Sequence, residues 1–249
     1  MFVDRYLIVN ADDFGLSSGV NRGIIKAHEQ GIVTSASLMV RMPGAAEAAA
    51  YGREHPRLSI GLHFDLGEWS YRAGSWLSVY EVAPVDDRSA VARQADCQLA
   101  AFQGLLGRNP SHIDSHQHVH RHEPVRSTLG ELARKLAIPL RDFSSGVRYC
   151  GRFYGQTCQG CPLPDAISVK GLIDILAALP PGLTELGCHP GEGSDFQSMY
   201  LHEREQEVRT LCDPLIQATL GSQHIQLCSF NSCGTLSRIV GQNRAAGCD

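Results

Sequence analysis

A chain of 249 residues with 43% hydrophobic residues is long enough to bury a sizeable core, as one α/β barrel or as two small domains. Its net charge of −4, with no clustered Lys or Arg, gives no electrostatic reason to expect nucleic acid. Nothing near Met1-Phe2-Val3-Asp4-Arg5 resembles a signal peptide and no long uncharged apolar run follows, so the expectation is a cytoplasmic enzyme acting on a small molecule, without a membrane partner.

The first element is Leu7-Ile8-Val9-Asn10-Ala11-Asp12-Asp13-Phe14-Gly15, an apolar strand that ends in two adjacent carboxylates before a Gly opens a turn. Neighbouring side chains at a strand end point to different sides. One carboxylate can then hold a metal while the other faces what the metal activates. Ser17 is a good N-cap for a helix carrying Val20, Ile24, Ile25 and His28, and Gly31 stops it. A second strand is expected over 33–40 and an Ala-rich helix from Gly44 to His55-Pro56. A third strand, 58–63, ends at His63.

Residues 64–84 show no sustained period and read as an irregular loop. Trp69, Tyr71, Trp76 and Tyr80 either lie over a cleft, where they would suit a sugar ring, or pack beneath their own loop. Helical spacing returns over 86–106, with Val91, Ala95, Leu99, Phe102 and Leu106 on one face. A helix over 124–136, a strand near 138–141 and a long irregular loop over 143–166 follow. Within that loop Cys158-Gln159-Gly160-Cys161, near Cys150, lacks a second pair at zinc-site spacing. It reads as a loop of reduced thiols, and the nine cysteines show no disulfide framework. The chain closes with helices over 169–179, 201–211 and 214–220, strands over 183–188 and 225–229, and a frayed tail from Gln242.

About seven strands alternating with helices predict a single-domain α/β fold, a distorted TIM-like (β/α) barrel. The domain is taken as 1–249 with its core at about 6–230. Four strand ends carry metal-type chemistry: Asp12-Asp13, His63, the segment His112-Ile113-Asp114-Ser115-His116-Gln117-His118-Val119-His120, and Cys188-His189-Pro190. Barrel active sites are built at such ends. His116 and His120 share a face if their segment is helical, whereas His116 and His118 do so if it is extended. His112 and His122 are expected to be peripheral.

These motifs, in this order from about Tyr6 to Phe230, resemble the YdjC-type carbohydrate deacetylases, a family that includes the chitooligosaccharide deacetylases and a hopanoid-associated group. The resemblance implies hydrolysis of the N-acetyl group of an amino sugar or oligosaccharide, and it is compatible with a homodimer. It implies one divalent metal held by Asp13, His63 and His116, with Asp12 as general base and His189 as acid. Asp114, His118, His120, Arg141, Trp69 and Trp76 are candidates to support a ligand or to touch substrate. The resemblance suggests Mg²⁺, whereas two nitrogens and a carboxylate suit Zn²⁺. Another metal-dependent barrel hydrolase, an amidohydrolase or phosphoesterase using His116-Gln117-His118, is the nearest rival. A non-catalytic sugar-binding or sensor protein is the second.

Overall fold

The computed structural model describes residues 4–232. Its organising strand is β1 (Arg5–Phe14), whose last nine residues are all buried, Asn10, Asp12 and Asp13 among them. A strand covered on both faces is characteristic of a parallel sheet flanked by crossover helices. Along Arg5–Ala11 β1 pairs with β8 (Gly182–Cys188). Its opposite edge is shared: Arg5–Ile8 pairs with β9 (Ile225–Cys228), and Asn10–Phe14 continues against β2 (Ser35–Leu38). Beyond these lie β3 (Ser59–Phe64), β6 (Ile113–Ser115) and β7 (Val147–Cys150). The result is a seven-stranded parallel sheet in the order β6-β3-β2-β1-β8-β7, with β9 added on β1, curled into a half-barrel.

The intervening helices start and stop where local chemistry dictates. In α1 (Ser18–Glu29) the Ser17 hydroxyl accepts the Val20 amide, and in α3 (Arg88–Leu106) Asp87 accepts those of Ser89 and Ala90. Gly107, at φ 66°, terminates α3 in the left-handed conformation that glycine adopts without penalty. The remaining helices are α2 (Ala45–Glu54), α4 (Val125–Leu136), α5 (Val169–Ala177), α6 (His202–Leu211) and α7 (Pro214–Ser222). Their apolar faces join Leu7, Val9, Phe14, Ile24, Leu62, Phe102 and Leu186 in one buried cluster.

Three expectations are corrected. Residues 64–84 are not an irregular loop but contain an antiparallel hairpin, β4 (Gly67–Arg72) and β5 (Ser75–Glu81). Its turn is Ala73-Gly74, both at positive φ, the backbone that matches strand twist in a two-residue hairpin. Ala is an unusual residue in the left-handed region, so the sequence lacks the common Asn-Gly signal. The strand expected near 138–141 is reduced to one parallel bridge, Ile113 to Leu140. Conversely, β7 emerges from the stretch read as wholly irregular. The tail from Gln242 lies outside the described residues.

Helix α1 sits close to the loop that follows β8. A Cβ placed on Gly23 would lie 2.4 Å from the Gly191 α-carbon, so that backbone approach requires the missing side chain. Helix propensity alone would make Gly23→Ala stabilising by about 1 kcal/mol. The clash instead predicts a loss of about 1–3 kcal/mol. Urea unfolding decides the sign, and a stabilised variant would contradict this packing.

Candidate active site

The four chemically marked strand ends converge on one cleft of ≈ 660 Å³ lined by Asp12, Asp13, His63, His116, His118, His189 and Arg204 among others. Within it the side chains of Asp12 and Asp13 part company, helped by the left-handed backbone at Asp13 (φ 67°). Asp13 Oδ1 lies 3.0 Å from His116 Nδ1 and 3.2 Å from His63 Nε2, while its Oδ2 accepts Arg204 Nη2 at 2.6 Å. Asp12 turns the other way and receives two bonds from Arg141, Nη1 to Oδ2 at 2.6 Å and Nη2 to Oδ1 at 2.7 Å.

Behind the imidazoles stands a second layer of polar groups. His63 Nδ1 faces Asp114 Oδ1 at 2.7 Å, which fixes the ring so that Nε2 points at Asp13. A carboxylate behind an imidazole is the usual way a metal-ligating His is oriented. Asp114 also accepts the Ser37 hydroxyl at 2.7 Å and pairs with Arg141 at 2.7 Å. Arg141 Nε reaches Glu185 on β8 at 2.8 Å, so one guanidinium joins three carboxylates.

His112 is not peripheral in the sense expected from its place before the strand end. It is fully buried behind the site, with Nε2 3.0 Å from the Ser37 hydroxyl and its ring stacked on Phe230. A Cβ on Gly61 would lie 2.4 Å from that ring, which explains a glycine two residues before His63. His122 lines the cleft.

The histidine run adopts neither conformation weighed for it. Gln117 (φ 48°) and His118 (φ 55°) take left-handed backbone inside a 3₁₀ stretch, Ser115 preceding it in extended form. Three rings therefore fan apart. His116 meets Asp13, His118 faces the Tyr149 hydroxyl at 3.4 Å, and His120 bonds Ser115 at 2.6 Å with Asp142 beyond. His189 sets Nε2 3.8 Å from Asp12 Oδ2 and lies edge-on to Tyr154 and Tyr200. Trp69 and Trp76, on the hairpin, line the mouth of the cleft.

Electrostatics sort these groups. Burial opposes charge on His63, but Asp114, Asp13 and Asp12 outweigh it and raise its pKa to about 10. His116 is raised against the same burial by Asp13. Burial likewise pushes Asp12 up, and Arg141 more than offsets this, leaving it below the usual carboxylate range. For Asp13 burial is overcome by Arg204 and His116. His189 differs: burial dominates and lowers it to about 4, so its ring is neutral near pH 7. The site around Asp13 thus favours positive charge, holding the buried His63 ring protonated near pH 7 and raising His116 against its burial.

That preference, with His63 Nε2, His116 and Asp13 offering ligand atoms within 4.8 Å of one another, fits a divalent cation. A second grouping, Asp12, His63 and Asp114, is also close, but Arg141 already neutralises both of its carboxylates. Neither of these groupings includes Cys150, Cys158 or Cys161, whose thiols are not in disulfides. Several site residues were not anticipated. Glu185 had a signal, a lone acid inside the apolar strand 183–188. Arg204 and Glu207 had none, since the helix His202-Glu203-Arg204-Glu205-Gln206-Glu207 reads as a solvated face; yet both are buried, Glu207 accepting the Tyr200 hydroxyl and the His189 amide.

A curled parallel sheet here carries a carboxylate–imidazole centre at its strand ends. A family model for YdjC-like proteins matches residues 6–222, and the chain belongs to that family. Similar relatives include a carbohydrate deacetylase of Geobacillus stearothermophilus, 32% identical over 91% of this chain and 97% of the relative. A chitooligosaccharide deacetylase of Serratia marcescens is 33% identical over 92% and 99%. Among solved structures, a putative cellobiose-phosphate cleavage protein of Enterococcus faecalis superposes with TM-score 0.77 at 27% identity, covering 92% of this chain and 98% of that one. A family 4 carbohydrate esterase of Streptomyces lividans, at 13% identity and TM-score 0.53 over 91% and 92%, shares the fold. Among the described residues no helix is long and apolar enough to cross a membrane.

Burial lowers His112 from its ordinary 6.5 to about 3, and the nearby Asp114 carboxylate only partly opposes this. Above pH 6.5 folded and unfolded chains both hold this ring neutral. As pH falls below that, the unfolded chain gains the proton and the folded one resists until about 3, so stability declines. The advantage of the wild type over His112→Gln should therefore shrink between pH 7 and pH 4 in urea titrations. A gap that stays constant would contradict a neutral buried ring.

Proposed function

We propose that this protein removes the N-acetyl group from an N-acetylated amino sugar or oligosaccharide, using one divalent metal held by Asp13, His63 and His116. The observation that carries the reading is the convergence of these three side chains in one cleft with Asp12 on one flank and His189 near it. Relatives named as carbohydrate and chitooligosaccharide deacetylases support the reaction type. A donor set of two imidazole nitrogens and one carboxylate favours Zn²⁺ or a related transition ion over Mg²⁺.

When bound, such an ion lowers the pKa of water from roughly 15.7 towards 7 and polarises the acetyl carbonyl. The chain's own residues manage the protons. Asp12, ionised and held by Arg141 and by Asn10 Nδ2 at 2.9 Å, receives a proton from the attacking water at a carboxylate oxygen. His189 is neutral at rest, so the proton it gives the departing amine is one acquired during turnover, with Asp12 Oδ2 3.8 Å away as the nearby donor. A carbon–oxygen bond forms, the carbon–nitrogen bond breaks, and acetate and the free amine leave. Arg204 stays on Asp13 Oδ2 and leaves Oδ1 directed at the two imidazoles.

Acetate release from a panel of N-acetylated sugars, measured after chelation and again after restoring Zn²⁺ or Mg²⁺, tests the reaction. Activity should vanish on chelation and return with metal; hydrolysis of a phosphate ester but of no N-acetyl sugar would sink the reading. Asp12→Asn should lose about 10²–10⁴-fold in kcat while metal still binds. Undiminished turnover would remove Asp12 from the chemistry. Asp114→Asn should weaken metal binding about 10–100-fold by calorimetry, because the His63 ring loses its orienting carboxylate.

A further inference from the structure

The hairpin β4–β5 belongs to no part of the main sheet, yet it carries three cleft residues, Glu68, Trp69 and Trp76. Consecutive strand residues normally face opposite sides. Glu68 and Trp69 nevertheless both line the cleft, beside a register shift in which Glu68 pairs with Tyr80 and Trp69 with Ser78, so that Val79 of β5 is the extra residue of a bulge. What holds the hairpin in place is unusual. The Gln117 amide bonds the Trp69 backbone twice, accepting its N–H at 2.9 Å and donating to its C=O at 2.8 Å. A side-chain amide thus stands in for a neighbouring strand. Gln117 adopts left-handed backbone to do this, a strained conformation for a residue with a side chain. It is also the residue next to His116, so the clasp runs from the Asp13 centre to the aromatic hairpin.

Trp76 is 52% exposed, lies edge-on to Tyr71 with ring centroids 5.6 Å apart, and lines the same cleft as Asp12 and Asp13. A half-exposed indole at a cleft mouth presents the face on which the apolar side of a sugar ring stacks. The cleft, at ≈ 660 Å³, is sized for a ligand larger than one acetamido ring. Resting on the deacetylase reading, we propose that the hairpin is a sugar-binding wall for a second ring, with Trp76 as its platform and Gln117 as the positioning residue that sets it relative to the reacting ring. Binding of a second ring then depends on the hairpin, while the reacting ring's contacts with the Asp13 centre do not.

The test compares acetate release from an N-acetylated monosaccharide and from its β-1,4-linked disaccharide. Trp76→Ala should lower the disaccharide-to-monosaccharide ratio of kcat/KM about tenfold, through KM rather than kcat. Gln117→Leu, close in size but without the amide, should do the same with Zn²⁺ affinity retained, and Gln117→Glu, which keeps only the accepting oxygen, should fall between. Equal losses on both sugars, or a Zn²⁺ affinity that falls with the rate in Gln117→Leu, would overturn the proposal. If neither sugar releases acetate, the deacetylase reading fails on its own. Calorimetric binding of the disaccharide, weakened about tenfold by Trp76→Ala, would then still uphold the wall, and binding unchanged by Trp76→Ala would overturn it.

Discussion

Arg141 is buried completely, and its guanidinium is shared by Asp12 from β1, Asp114 from β6 and Glu185 from β8. Removing one partner from such a network leaves an uncompensated buried charge, a loss of about 3–5 kcal/mol in comparable pairs. The placement also has an architectural consequence. Arg141 follows directly on Leu140, where β6 is met by one bridge instead of a strand. The side chain therefore spans a side of the half-barrel that backbone pairing leaves open. Tyr149 covers the guanidinium face at 4.7 Å, closing it from solvent.

Three carboxylates around one guanidinium leave the cluster short of positive charge. The deficit appears as Glu185 pushed up to about 7 by burial, and as His63 held protonated against burial by its acidic neighbours. A centre that draws protons onto imidazoles in this way is suited to a cation in their place. Arg204 supplies the matching device on the Asp13 side, arriving from α6, far along the chain. Each strand-end carboxylate thus has its own arginine, and the two arginines keep their functions apart. Asp12 is oriented towards the cleft and His189; Asp13 keeps one oxygen for the imidazoles.

The hairpin wall and the histidine run form a second, looser layer on this rigid frame. Gln117 couples them through two hydrogen bonds to the Trp69 backbone. Segments carried on a rigid sheet are where binding residues concentrate, and they are the ones expected to set what the cleft accepts. The relatives at 32–33% identity match 91–92% of this chain, and the solved structure at 27% covers 92% of it, while the family 4 esterase shares the fold at 13%.

Periodicity and strand-end chemistry were enough to read the parallel α/β plan and to mark Asp12, Asp13, His63, His116 and His189 as candidates, which the fold gathers in one cleft, because burial on both faces of β1, β3 and β8 writes continuous apolar runs that end abruptly in polar residues. Local signals failed where structure depends on partners distant in the chain. The Ala73-Gly74 turn lacks the usual residues, so local sequence carries no hairpin signal. The strand expected near 138–141 is reduced to one bridge, and Gln117 and His118 take left-handed backbone that no local pattern announces. Arg204 and Glu207 look solvated on their helix and are buried only because α6 docks against the site. Which residues are candidates for the chemistry is inscribed locally, at the ends of strands. Which charges neutralise them, and which way each imidazole faces, depends on groups brought together only when the sheet curls, and only tertiary structure decides it.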